Sequence, residues 1–389
     1  MTSLDMCLAC GGGLLEEVAD LGDSPVLAGA LFPDRESARN AVRGELKLAV
    51  CLVCGHVQNT AFDPGRVQYD VTYDSSLHFS GTFQQYADEL VKQLVDWYDI
   101  RGKHVVEIGS GKGDFLAAIA EAGGNTGTGY DPTVEPSTTI PGVTLVQDYF
   151  RPGDETDPYD LLVCRHVLEH LGDPAGLLSP LAASAPREAL HYFEVPAAEF
   201  NFGPDGLWDC IYPHVSYFSA GSLAALMRRV GFSAMSLRPS FHGQFLSVEA
   251  PVTDGPERDV SAAALESTAV AQHISLVRGF ASRWQGAVLS WRDEIAALRE
   301  KGETVAMWGA GSKGVNFLNA VDPRGEIPVV DINPRKAGHH LPGTGNEIGT
   351  PDSLVGTNVS RVLVTNPAYR EEIEGQLAML GVSSDVALV

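Results

Sequence analysis

The sequence predicts an α/β protein of several domains: a small cysteine-bearing N-terminal unit, a doubly wound parallel sheet, and a second, smaller α/β unit. Three observations predict it. At 389 residues the chain is too long for one core, given roughly 150 residues per domain. Two CxxC pairs sit in its first 54 residues. From Lys103 onward short apolar runs alternate with helical runs, and the alternation stops and restarts after Gly302.

Composition narrows the class. Hydrophobic residues at 44% and charged residues at 20% match ordinary globular usage and exclude wholesale disorder. No run approaches about 18 apolar residues, so no transmembrane helix is expected. The start, Met1-Thr2-Ser3-Leu4-Asp5, lacks the basic and apolar regions of a secretory signal, so a soluble, cytoplasmic protein is expected. The net charge of −23 repels nucleic acid and anionic membrane surfaces, and neither is expected as a partner. A small-molecule ligand remains compatible with that charge.

The elements follow in order. Residues 1–65 carry the cysteines and little periodic pattern. After the polar, aromatic stretch Tyr69–Ser80, residues Phe83 to Tyr98 place Tyr86, Leu90, Leu94, Val95 and Tyr98 at helical spacing. Strands are expected at His104–Ile108, Gly127–Tyr130, Val143–Val146 and Asp160–Cys164, with a helix over Asp114–Ala122. Leu190–Glu194 and Gln244–Ala250 complete the sheet. Residues 262–300, rich in Ala, Leu and Glu and free of proline, read as one long connecting helix. Strands at Thr304–Trp308, Ile327–Asp331 and Arg361–Val364 form the last unit. The expected domains are 1–65, 66–260, a connector over 261–302, and 303–389.

Cys7-Leu8-Ala9-Cys10 and Cys51-Leu52-Val53-Cys54 are separated by 40 residues. Two thiolates two apart on a tight turn face one ion, and two such knuckles complete a tetrahedral zinc site. Glycines follow each pair (Gly11 to Gly13, and Gly55), as the turns of a zinc ribbon require. A redox dithiol is the rival reading. Four thiolates leave no open coordination position, so Cys7, Cys10, Cys51 and Cys54 are expected to hold a structural Zn2+. Cys164 and Cys210 lie in apolar contexts and read as inert thiols.

Glu107-Ile108-Gly109-Ser110-Gly111-Lys112-Gly113-Asp114 follows a strand and opens a helix. Its small residues let a ligand approach the turn, and the helix start offers free N–H groups. Asp131, 24 residues after Glu107, ends the next strand in Gly129-Tyr130-Asp131-Pro132, where a carboxylate accepts from both ribose hydroxyls of a nucleoside. Gln147-Asp148-Tyr149 ends the third strand, within reach of an adenine edge. This constellation resembles the class I S-adenosylmethionine-dependent methyltransferases, with a Rossmann-like domain for another nucleotide as the alternative. The resemblance implies a cofactor site of Glu107, Gly109, Gly111, Gly113, Asp131, Pro132, Asp148 and His166. An acidic rim suits a cofactor that carries a sulfonium and an amino group but no phosphate.

The fourth strand runs into Arg165-His166-Val167-Leu168-Glu169-His170, similar to the segment where that superfamily's methyl acceptor meets the cofactor. Further on comes Trp208-Asp209-Cys210-Ile211-Tyr212-Pro213-His214-Val215-Ser216-Tyr217-Phe218-Ser219. With the cysteine knuckles, Tyr73-Asp74-Ser75-Ser76 and the last α/β unit, it resembles the three-domain sugar C-methyltransferase family over essentially the whole chain. Members of that family act on nucleotide-linked deoxy-keto-sugars in antibiotic pathways, with the acceptor between the last two domains. Carbon methylation needs an enolate, hence a base near neutral pH and a donor to the developing oxyanion. The resemblance assigns His214 as base and Tyr212 as enolate stabiliser, with Tyr73 and His170 lining the acceptor.

The chain departs from the family pattern in that string. Where the family has Tyr-His-Glu-His, this sequence has Tyr212-Pro213-His214, one residue shorter and without the glutamate. Two alternatives stay open on that account: a packed turn without chemistry, and an O- or N-methyltransferase of the same architecture. In the last unit Gly309-Ala310-Gly311-Ser312-Lys313-Gly314 cradles a phosphate in the functional reading, with Asp331 one strand later at a ribose position. The expected acceptor is therefore a nucleotide-linked sugar held by Gly309, Gly311, Ser312, Lys313 and Asp331. The other reading is that this unit only walls the cleft.

Overall fold

The computed structural model describes residues 5–69, 73, 76–135, 137–153, 158–186, 188–232, 235–251 and 267–389. Asp74 and Ser75 of the Tyr73–Ser76 string lie outside the described residues, as do the expected boundary at 260–261 and the first residues of the connector.

The N-terminal part is a sheet. Strands β1 (Leu15–Pro25), β2 (Arg43–Cys51) and β3 (Val57–Asn59) pair antiparallel, and the second knuckle forms the turn from β2 to β3. The sequence showed little pattern here because β1 slips register twice against β2, between Glu17 and Ala19 and between Asp20 and Asp23. Each irregularity shifts the alternation of buried and exposed side chains by which a strand is read.

Helix Gly81–Tyr98 then starts at Ser80, whose Oγ accepts from the Phe83 N–H, and buries Phe83, Ala87, Leu90, Val91, Leu94 and Val95 on one face. It leads into β4 (His104–Ile108), β5 (Thr126–Tyr130), β6 (Val143–Val146), β7 (Leu161–Arg165) and β8 (Leu190–Pro196). Strand β9 (Ser216–Tyr217) leaves this run to pair with β3 as the fourth strand of the N-terminal sheet. The hairpin β10 (Ser236–Ser240) and β11 (Phe245–Pro251) returns to the larger sheet. The seven strands lie in the order β10-β11-β8-β7-β4-β5-β6, parallel except that β11 runs antiparallel to both of its neighbours. Every residue of β7 and β8 is buried, as strands covered on both faces must be.

The expected connecting helix is two helices, Ser267–Arg278 and Phe280–Glu300, meeting at Gly279. The buried Phe280 ring packs on Phe202 with centroids 5.0 Å apart. The last unit is an all-parallel sheet of β12 (Thr304–Trp308), β13 (Val329–Val330), β14 (Ile348–Gly349), β15 (Val359–Val364) and β16 (Asp385–Leu388), in the order β14-β13-β12-β15-β16. The order reverses beside β12, and such a reversal opens a crevice at the strands' carboxyl ends. Among the described residues no helix is long and apolar enough to cross a membrane.

Two sets of contacts fix this unit against the rest. Arg35 and Arg39 from the N-terminal part donate to the carbonyls of Gly345, Gly325, Thr344 and Arg324. Across the cleft, Glu372 accepts from Ser80 Oγ (2.6 Å), Gly81 N (3.1 Å) and Thr82 N (3.1 Å), so it caps a helix of the neighbouring unit.

Candidate active site

The sulfur atoms of Cys7 and Cys54 lie 3.6 Å apart, and those of Cys10 and Cys51 3.7 Å apart. Thiolates at the usual Zn–S distance of about 2.3 Å sit about 3.8 Å from one another on a tetrahedron. A disulfide needs about 2.05 Å. The backbone N–H groups of Cys10 and Gly12 donate to Cys7 Sγ and Cys10 Sγ, which tightens the first knuckle. Zinc fits the four, and with every position taken by sulfur it is structural.

The cofactor turn forms where β4 ends. Gly109, Gly111 and Gly113 all have positive φ (75°, 54° and 88°). A Cβ on Gly109 would lie 2.3 Å from Val167 Cγ2, whereas one on Gly111 would meet nothing within 4 Å, so the surface above Gly111 is free for a ligand. Helix Asp114–Gly123 starts here without a side-chain cap from Gly113, and within its first turn Leu116 N donates to the Glu107 carboxylate. Asp131 accepts from Gly111 N (2.9 Å), Thr133 N (2.7 Å) and Thr133 Oγ1 (2.6 Å), which holds its carboxylate at the ribose position. Glu107 is buried, its Oε2 lacks a hydrogen-bond partner, and burial raises its carboxyl to about 8. A carboxyl group with one oxygen left unpartnered on the cavity wall suits the amino group of S-adenosylmethionine.

Beside the turn lies a buried charge network. Glu194 on β8 accepts from Arg165 Nε (3.0 Å), from Tyr192 Oη (2.9 Å) and from Tyr86 Oη. Burial alone would raise the Glu194 carboxyl, but Arg165 and His166 hold it well below the carboxylate range. His166, at φ 55°, lies 3.2 Å from Glu194 and 3.7 Å from Glu169. Burial works against its charge, yet the two carboxylates raise it to about 9.

The turn Leu168–His170 and the turn around Pro213 meet. His170 Nδ1 lies 3.0 Å from the Pro213 carbonyl and 3.0 Å from Tyr69 Oη. A carbonyl only accepts, so the proton sits on Nδ1 and Nε2 keeps the lone pair. The His170 and His214 rings stand 4.9 Å apart, and burial followed by repulsion from His170 lowers His214 to about 3, keeping it neutral. Burial also lowers His170 and pushes the Tyr69 phenol well up, so Tyr69 keeps its proton.

In the last unit, helix Ser312–Val321 also starts without a side-chain cap, at Gly311. Asp331 accepts from Ala310 N (2.7 Å), Asn333 N (2.8 Å) and the buried Lys336 Nζ (3.1 Å). Lys313 reaches back to Asp209 (3.3 Å) and Gln244 (3.1 Å), tying this unit to the sheet domain.

A single cavity of about 870 Å³ is lined by both turns and by the histidine cluster. Of the expected residues it takes in Glu107, Gly109, Gly111, Asp131, Pro132 and His166 on the cofactor side. It takes in Tyr73, His170 and His214 at the cluster, and Gly309, Gly311, Ser312, Lys313 and Asp331 in the last unit. Three expected residues lie elsewhere. Gly113 packs under Ile140 and Leu145. Asp148 pairs with Arg151 (3.0 Å), and its neighbours Tyr149 and Phe150 line the cavity instead. Tyr212 is fully buried between Gly44 and Phe62, and its hydroxyl accepts from Asp63 N at 2.8 Å. The Tyr212 ring, expected to steady an enolate, is thus packed away from the cavity, while His214 faces it. Tyr69, Glu169, Lys336 and Glu372 also line the cavity and escaped the sequence reading. Tyr69 and Glu169 stood inside strings singled out for other residues, whereas nothing local marks Lys336 or Glu372.

The turn, the held Asp131 and the sheet order define an S-adenosylmethionine-dependent methyltransferase. Comparison with known proteins bears on each part of the chain. Residues 7–69 match a family model described as a zinc binding domain, residues 79–237 a methyltransferase domain, and residues 247–384 a C-methyltransferase C-terminal domain. The C-methyltransferase NovU of Streptomyces niveus is 27% identical over 395 residues, covering 95% of this chain and 91% of that protein. The three family models follow one another along the chain in the order expected from the resemblance, and the relative covers almost its whole length. Solved structures resemble less than half of the chain. A SAM-dependent methyltransferase from Aquifex aeolicus is 14% identical, covering 42% of this chain and 89% of that one, with a TM-score of 0.33. Magnesium protoporphyrin IX methyltransferase from Synechocystis PCC 6803 is 18% identical, covering 44% and 80%, with a TM-score of 0.33.

Proposed function

We propose that the protein methylates a carbon α to a ketone, on a nucleotide-linked keto-deoxysugar of secondary metabolism. The observation that carries this reading is the single cavity shared by the cofactor turn, the Tyr69–His170–His214 cluster and the uncapped helix at Gly311. Its volume of about 870 Å³ lies toward the upper end of the range of ligand pockets, about 300–1,000 Å³. The match to a C-methyltransferase C-terminal domain and the likeness to NovU support carbon as the methylated atom.

When bound, S-adenosylmethionine supplies an electrophilic methyl group. The chain's own residues prepare the acceptor. Glu107 and Asp131 hold the amino and ribose groups of the cofactor. The N–H groups at Gly311 and Ser312 receive a phosphate of the nucleotide handle. At the cluster, the α-proton leaves and the ketone oxygen gains charge, and Tyr69 with His170 and His214 surrounds that oxygen and that proton. His170, whose Nε2 keeps its lone pair, is the group placed to accept the proton, while His214, lowered to about 3 by burial and by His170, stays a neutral neighbour and a weak base.

The reaction is tested by incubating the protein with S-adenosylhomocysteine and thymidine- or uridine-diphosphate-linked keto-deoxysugars in deuterated water. Exchange of the proton α to the ketone is the expected result. Binding of S-adenosylhomocysteine without exchange in any sugar would point instead to O- or N-methylation. That second reading draws on Tyr212, whose hydroxyl is spent on Asp63.

A further inference from the structure

We propose that the buried guanidinium of Arg165 grips the carboxylate of the cofactor's amino-acid tail, so that Glu107 and Arg165 together read the tail as a zwitterion. The inference rests on the cofactor assigned above and is independent of which acceptor the cavity takes.

Arg165 ends β7, the strand beside β4, and its carbonyl lies 3.9 Å from the place a Cβ would take on Gly109. The side chain therefore starts at the glycine turn. Its guanidinium carbon stands 4.4 Å from the centre of the Phe115 ring, in the first turn of helix Asp114–Gly123. One edge of the guanidinium is spent, with Nε donating to Glu194 at 3.0 Å. The other is not: Nη2 is buried and has no hydrogen-bond partner among the described residues. Burial works against the charge, yet Glu194 holds the group above the usual guanidinium range, so it stays a cation. Leaving a buried N–H of a charged group unpaired is costly, and native proteins seldom do so unless a ligand answers it.

Elimination points the same way. Among the described residues, four Lys and Arg side chains line the cavity: Lys112, Arg165, Lys313 and Lys336. Lys112 donates to the Thr133 carbonyl (2.9 Å) and to Glu135 (3.2 Å). Lys313 is taken by Asp209 and Gln244, and Lys336 by Asp331 and the Ala310 carbonyl. An ammonium is one point of charge, and each of these three is already set on a carboxylate. An arginine presents a planar fork, so Arg165 keeps Glu194 on Nε while Nη2 takes a second carboxylate. The start of the helix offers less than usual, because Leu116 N is given to Glu107.

The opposite charge stands on the same wall. Glu107 Oε2 also lacks a partner, and Glu107 and Arg165 are close enough for each to favour the ionised form of the other. An α-amino acid tail carries its ammonium and its carboxylate on one carbon, and it meets this pair with both charges matched. A nucleoside thioether without the carboxylate leaves the Arg165 N–H unpaired.

Calorimetric titration of the intact protein with its zinc tests this through binding alone. The probes are S-adenosylhomocysteine and its decarboxylated analogue, which keeps the nucleoside, the thioether and the ammonium. The analogue should bind about 100-fold more weakly, as truncating one partner of a buried charge pair does. The ratio should persist between about 0.05 M and about 0.5 M salt, because a buried pair is screened little. Arg165→Lys keeps a charge for Glu194 and loses the second arm of the fork, so its ratio should fall below about 10-fold. A ratio within about threefold in the parent overturns the proposal. So does a ratio that collapses at high salt, which would move the carboxylate to a solvent-screened cation, and so does an undiminished ratio in Arg165→Lys. The two readings on the unaltered protein decide the matter even where the variant unfolds.

Discussion

Glu107→Gln isolates the cofactor carboxyl. In the folded protein burial holds this group at about 8, against 4.5 as its ordinary value. Between those values the folded state keeps a proton that the unfolded chain releases, so stability falls as pH rises. From pH 6.5 to 8 the loss is about 2 kcal/mol at about 1.36 kcal/mol per unit, or roughly 4–8 °C in the unfolding temperature of a domain this size. Glutamine carries no such proton, so the variant should lack this component of the slope. S-adenosylhomocysteine, whose ammonium group favours the ionised carboxylate, should stabilise the parent more at pH 8 than at 6.5, and the variant equally at both. Scanning calorimetry of both proteins at the two pH values, with and without the ligand, reads all of this. Parallel slopes for parent and variant would refute the assignment of a buried, ligand-facing carboxyl at this position.

Three further outcomes follow from the same geometry. Gly109→Ala combines a positive φ with a methyl group 2.3 Å from Val167, and should cost about 2–5 kcal/mol in denaturant melts. Gly111→Ala, strained but sterically open, should cost only about 1–2 kcal/mol; equal losses would contradict the packing. Tyr212→Phe removes the acceptor for Asp63 N and should lower stability by about 1–3 kcal/mol with kcat unchanged, whereas a large fall in kcat would return Tyr212 to the chemistry. His191, lowered by burial to about 4, should favour unfolding below pH 6.5, where the unfolded chain takes the proton first. The loss approaches about 3 kcal/mol by pH 4. His191→Phe should flatten the acid limb of the stability curve, and an unchanged limb would count against it.

What the sequence made legible was local. The two CxxC pairs and the run from Glu107 to Asp131 announce themselves because spacing along the chain is the spacing in the site. The parallel strands were legible because strands buried on both faces are continuous apolar runs. The N-terminal sheet was not, since the slips in β1 erase its alternation and its fourth strand arrives from Ser216–Tyr217. Gly279 broke a helix that composition read as continuous. Tyr212 and His214 stand two residues apart in sequence, yet Tyr212 faces Asp63 while His214 faces the cavity, a difference that spacing alone does not show. The partners that close the site, Tyr69 on His170 and Glu372 on Ser80, are 101 and 292 residues apart and leave no local trace.

The most direct test of the central claim follows the methyl group itself. The protein is incubated with S-adenosylmethionine carrying a 13C-labelled methyl and a nucleotide-linked keto-deoxysugar, and the product is read by carbon–proton correlation. The account predicts the labelled methyl bonded to the carbon next to the ketone. A methyl group found on oxygen or nitrogen would contradict it.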